Sequence, residues 1–91
     1  MRRVVWRKAA LMDLNRHHEW LSSLERSSPD KTMRVIEAAA ESLARLGDIG
    51  RPSRIPGVRE LSVRSAPYVI AYRLEEDRVD ILAVYHTAQR R

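Results

Sequence analysis

The 91 residues contain no internal repeat and no long polar linker, so one domain over residues 1–91 with a single small core is expected. The absence of cysteine excludes disulfide staples and thiolate metal sites; with no apolar leader and no run long enough for a membrane span, a cytoplasmic setting without membrane partners is expected. Lys and Arg number 17 against 12 Asp and Glu, a net charge of +5 carried almost wholly by Arg, and this points to an acidic partner, either nucleic acid or protein.

In chain order, Val4, Val5 and Trp6 predict a short first strand between Arg2 and Arg7. From Ala10 the residues Leu14, His17, Leu21 and Leu24 recur at helical spacing, which predicts a helix ending near Glu25 with that stripe on the core. Ser27, Ser28, Pro29 and Asp30 supply a capping candidate, a first-turn proline and an acid at the positive end of the helix dipole. A second helix follows, with Met33, Ile36, Ala40 and Leu43 as its stripe, Ala39 and Leu46 widening it, and Gly47 as C-cap. So short a connection dictates an antiparallel helical hairpin.

The period then changes to two. Leu61 and Val63 alternate with Glu60, Ser62 and Arg64, and after a turn at Ser65 to Pro67 the residues Tyr68, Ile70, Tyr72 and Leu74 alternate with Val69, Ala71 and Arg73. A charged turn leads to a last strand, with Val79, Ile81, Ala83 and Tyr85 on one face and Asp80, Leu82, Val84 and His86 on the other. The prediction is an α+β, two-layer fold, β-α-α-β-β-β, in which the hairpin packs on the face of an antiparallel sheet bearing Tyr68, Ile70, Tyr72, Leu74, Val79 and Ile81. The face with Glu60, Ser62, Arg64, Val69, Arg73, Asp80 and His86 is expected to be open.

This order of elements, with Gly50-Arg51-Pro52, Gly57, Arg59-Glu60-Leu61, Pro67 to Tyr72 and Val84 to His86, resembles the ParE and RelE superfamily of type II toxin-antitoxin toxins across nearly the whole chain. The resemblance implies a small basic toxin held inactive by an acidic, ParD-like antitoxin in a hetero-oligomer that meets operator DNA only through the antitoxin. RelE-like members cut mRNA in the ribosome and need cations for the phosphate as well as acid and base groups. The matching positions here are Glu60, Ser62, Val69 and Gln89, none of which is cationic. ParE-like members lack that site and inhibit DNA gyrase by binding it, so the resemblance implies a gyrase inhibitor with no catalytic residues and no cofactor. The alternatives are a ribosome-dependent nuclease using His86, Arg73 and Arg64, or a non-toxic chain that still binds its antitoxin.

Arg51, Arg54, Gln89, Arg90 and Arg91 are the candidate target contacts, being basic or polar residues of a loop and the C-terminal stretch. Leu14, Trp20, Arg59, Arg64 and Arg73 are the candidate antitoxin contacts. Arg59 has the parity of Leu61, which places its stem at the core edge. His17 and His18 point about 100° apart on a helix and no further ligand pattern follows, so no metal site is expected. His86 and Tyr85 are read as structural or partner-contacting, Tyr85 falling on the core parity. Trp6 and Trp20 are read as core or rim aromatics.

Overall fold

The computed structural model describes residues 1–89. Its elements are β1 (Arg3–Trp6), α1 (Lys8–Ser22), α2 (Pro29–Ser42), β2 (Arg51–Pro52), β3 (Arg59–Ser62), β4 (Tyr68–Leu74), β5 (Arg78–His86) and a 3-10 turn (Thr87–Gln89). The strands form one sheet in the order β1-β5-β4-β3-β2, and both helices pack on one face of it. The antiparallel run from β3 to β5 is as the alternation predicts. The sheet as a whole is mixed, because β1 pairs parallel to β5, with Val4 beside Val79 and Trp6 beside Ile81. A helical hairpin between β1 and the meander acts as the crossover that a parallel pair requires.

Ile36, Ala40 and Leu43 from α2 and its C-terminal turn, Ala10 from α1, and Tyr68, Ile70, Tyr72, Val79 and Ile81 from the sheet form the core. Leu14 and Met33 pack at its margin, whereas Leu24 and Leu46, predicted on the buried stripes, are 41% and 51% exposed. Both helices end earlier than the apolar spacing predicts because hydroxyls take up their last carbonyls. Ser22 Oγ donates to His18 O and Ser23 Oγ to Trp20 O, and Ser42 Oγ donates to Ala39 O at the end of α2. Ser28 occupies the N-cap position of α2 with Pro29 beginning the helix, although its side chain makes no capping bond. Gly47 lies five residues past the end of α2, so it is not its C-cap. It is buried where a Cβ would collide with the side chain of Leu74, so close approach is what requires glycine there.

The last strand departs from strict alternation. Ala71 pairs with Ala83 while Tyr72 pairs with Ile81, so Leu82 is an extra residue, a β-bulge. Beyond it every side chain changes face. Val84 and His86 join Tyr68 and Ile70 on the helix side, and Tyr85 joins Val69 on the other, the reverse of the predicted parity. The face away from the helices is also less open than the alternation implies. Val69 and Asp80, expected in solvent, are 1% and 5% exposed. Val69 is flanked by its cross-strand neighbours Ser62 and Tyr85 on the central strand, and Asp80 is covered by arginines.

Candidate functional site

Loop residues after β2 fold over the outer face of the sheet and leave a concavity of about 760 Å³. Arg54 and Ile55 line it from the loop, Arg51, Glu60, Ala71 and Tyr85 from the strands, and Gln89 from the 3-10 turn. Three of the residues singled out for target contact, Arg51, Arg54 and Gln89, are thereby brought around one groove. Arg90 and Arg91 lie outside the described residues. Arg51 Nε is 4.0 Å from Glu60 Oε1, a long pair across the β2-β3 ladder.

Two side chains hold the segment leading into this loop. Tyr72 Oη accepts from Gly50 N at 2.9 Å and donates to Gly47 O at 2.6 Å, all within the core. Burial, opposed by the bond from Gly50, raises the Tyr72 phenol above its ordinary pKa, so it stays a neutral donor. Arg59 Nη1 donates to Gly50 O at 2.8 Å and reaches Asp48 O at 3.4 Å. Arg59 is half-buried, and its guanidinium head is committed to backbone carbonyls. Gly57, at φ 81°, adopts a conformation that glycine reaches without strain and turns the loop back toward β3.

The groove also contains Tyr85, which strict alternation assigned to the core. No signal in the sequence of β5 places the bulge, because Leu82, Ala83 and Val84 form an uninterrupted apolar run in which a period-two reading cannot locate the face. The same bulge separates His86 from Arg73. His86 lies on the helix side, edge-on to Tyr68 at 5.3 Å and to Trp20 at 5.6 Å, whereas Arg73 is on the outer face opposite Asp80. Arg64 is exposed beyond the end of β3. The trio of His86, Arg73 and Arg64 is therefore not assembled in one site.

On the helix side, Arg16, His17, Trp20, His86, Ala88 and Gln89 line a second cleft of about 390 Å³. Trp20 is 49% exposed at its rim, and Leu14 lies inward at the core margin. His86 is fixed by its own turn, its Nδ1 accepting from Ala88 N and its backbone N–H donating to Gln89 Oε1. His17 is buried and bonded through Nε2 to Val84 O, while His18 faces Asp30 across the helical hairpin, so the two histidines diverge. Tyr68 Oη is buried with no hydrogen-bond partner among the described residues, and burial raises its pKa. The five candidate antitoxin contacts are split. Leu14 and Trp20 belong to α1, Arg59 to the groove's supporting segment, and Arg64 and Arg73 to exposed positions of the meander.

No helix among the described residues is long and apolar enough to cross a membrane. The family model described as the ParE toxin of the type II toxin-antitoxin system, parDE, matches residues 4–91. The chain is 37% identical over 91 residues to a candidate toxin, Y4kP, of Sinorhizobium fredii, covering 97% of this chain and 91% of that one. It is 34% identical to the toxin RelE3 of Caulobacter vibrioides, covering 90% of each. Among solved structures it is similar to a chain of the chromosomal ParDE system of P. aeruginosa, with TM-score 0.71, 25% identity, and 94% of this chain and 96% of that one covered. It is also similar to a chain of the RelBE2 toxin-antitoxin complex of Mycobacterium tuberculosis, with TM-score 0.64, 26% identity and coverage of 93% and 90%.

Proposed function

We propose that this chain, which belongs to the ParE toxin family of type II toxin-antitoxin systems, acts in the cytoplasm by binding DNA gyrase and is neutralised by an acidic ParD-like antitoxin. The observation carrying this reading is the make-up of the outer groove. Arg51, Arg54 and Gln89 line it together with the apolar side chains of Ile55, Val58 and Ala71. The positions where a RelE-type nuclease keeps its cations hold Glu60, Ser62, Val69 and Gln89, and Val69 is buried. A buried valine cannot meet a phosphate, and Glu60 brings negative charge where a pentavalent phosphate would need positive. Charged and apolar side chains side by side are what a protein docking surface requires.

Purified gyrase decides the matter. Excess toxin should abolish supercoiling and accumulate cleaved DNA, and the Arg51→Glu/Arg54→Glu pair should raise the concentration needed by at least about tenfold, roughly 1.4 kcal/mol. Full supercoiling with no cleaved complex at excess toxin would end the gyrase reading.

One observation favours a second reading, a ribosome-dependent mRNA endonuclease. The bulge turns Tyr85 into the groove beside Arg51, Arg54 and Glu60, which supplies a phenol, two guanidinium groups and a carboxylate in one concavity. Toe-printing on translating ribosomes should then reveal A-site cuts that disappear in Tyr85→Phe, while His86→Ala, altered on the other side of the sheet, should still cut. A third reading, a chain that binds its antitoxin without toxicity, predicts overexpression without growth arrest.

A further inference from the structure

Asp80 lies on the outer face of the sheet and is nearly buried, and its Oδ1 receives two guanidinium groups, Arg7 Nη2 at 2.7 Å and Arg78 Nε at 3.0 Å. Arg78 also lies 3.6 Å from Asp77, a carboxylate it shares with Arg3, so three arginines meet two carboxylates and this edge of the face keeps a net positive charge. Arg73 is directly opposite Asp80 in the antiparallel register, on the same face and exposed. Arg73 Nε also lies 3.9 Å from the position a Cβ would take at Gly57, which brings it to the loop that carries Arg54 and Arg51. Five arginines thus run across the strands from the β1 edge to the β2 edge, against Asp77, Asp80 and Glu60. Arg3 stands at the end of this row, where it shares Asp77 with Arg78, each at 3.6 Å. The acidic turn from Glu75 to Asp77 bounds the row at the hairpin tip and steers a polyanion across the strands, away from that tip.

We infer that this row binds the backbone of double-stranded DNA through its phosphates, without regard to base sequence. Five strands at ordinary spacing put the two edges ~19 Å apart, and that length of duplex carries about eleven phosphate charges at one per ~1.7 Å. Arg7 and Arg78 are already held by Asp80, so less side-chain entropy is lost when they meet phosphate oxygens. Both helices lie on the opposite face of the sheet, so no helix is available here to enter a groove and read base edges, and contact with the backbone is what this face suits. The row shares Arg51 and Arg54 with the groove proposed for gyrase, so the DNA contact is measured with no gyrase present.

The test is fluorescence anisotropy of a labelled duplex with toxin freed of antitoxin and no gyrase present, from about 50 to 200 mM salt. Five phosphate contacts predict a log-log salt slope of about −4.5, a loss of affinity of about 500-fold across that range. Arg73→Glu and Arg54→Glu, both at exposed positions, should each flatten the slope by about one or more and weaken binding. Arg34→Glu, on the solvent side of α2, makes the same change in net charge and should leave the slope unaltered. A slope shallower than about −2, or equal effects of Arg34→Glu and Arg73→Glu, would overturn the inference. Tighter binding to single-stranded RNA of the same sequence would also overturn it, in favour of an RNA-binding face. Inhibition of gyrase by a toxin that does not bind DNA would sink this inference and leave the gyrase reading standing, and the converse result would do the opposite.

Discussion

The hydroxyl of Tyr72 is tied to two backbone groups of the segment that starts the groove loop, Gly50 N and Gly47 O. Tyr72→Phe keeps the ring and removes the oxygen, stranding a buried donor and a buried acceptor, which costs about 1 to 3 kcal/mol. Urea denaturation should register that loss, and amide exchange should rise at Gly50 more than in β5. Asp80 offers a pH test. Burial opposes its ionisation, yet hydrogen bonds from Arg78 and Arg7, with their charges, hold its carboxyl below the ordinary value. A depressed folded-state pKa contributes stability that is present above the unfolded value and lost as pH falls through the folded one. The melting temperature of the native chain should therefore fall with acidification below the ordinary aspartate range, and Asp80→Asn should flatten that dependence. Equal acid sensitivity of the two proteins would remove Asp80 from the account. The sequence made Tyr72 legible as an inward residue, but its polar partners are more than twenty residues away and periodicity carries no information about them.

At the level of elements, α1 stands in for a missing strand. β1 is only four residues long and pairs with Arg78 to Ile81, so the second half of β5 has no strand on that side. Two side chains of α1 take its exposed backbone instead. Asp13 Oδ2 accepts from Val84 N at 2.9 Å, and His17 Nε2 donates to Val84 O at 2.7 Å. An uncapped edge is a template for pairing with another chain. Asp13→Ala should destabilise the fold by about 1 to 3 kcal/mol and promote concentration-dependent self-association visible by size-exclusion chromatography; a monomer of unchanged stability would mean that the edge is protected otherwise. The strands of the meander and the helical hairpin were legible because runs such as Tyr68 to Leu74 keep a clean period. The bulge was not, since Leu82, Ala83 and Val84 are apolar on either register, and the choice was made by the pairing with β4. Helix ends escape the spacing for a related reason, because Leu24 and Leu46 extend the apolar pattern while serine hydroxyls take up the last carbonyls.

Across the whole molecule the sheet separates two surfaces of different character. The outer groove gathers Arg51 and Arg54, whereas the cleft on the helix side is built on Trp20 and His86, and Gln89 at the end of the sheet borders both. The candidate residues were legible singly from exposure and charge, but their division between two faces depends on a bulge and a loop fold that one-dimensional patterns do not encode. A half-exposed tryptophan at a cleft rim is the kind of side chain that anchors a protein partner, and truncating such an anchor typically costs 2 kcal/mol or more, about 30-fold in affinity. If the chain inhibits gyrase as proposed, Trp20→Ala should therefore loosen antitoxin binding by about that factor in calorimetry while leaving that inhibition unchanged. Arg51→Glu/Arg54→Glu should show the opposite pattern. The division also constrains neutralisation, because an occupant confined to the Trp20 cleft leaves the groove on the far face uncovered. An antitoxin fragment long enough to fill only that cleft should bind without restoring supercoiling, and restoration should begin only when the fragment is extended past Gln89 onto the outer face. Equal loss of both activities in Trp20→Ala, or full neutralisation by the short fragment, would show that the two faces act as one surface.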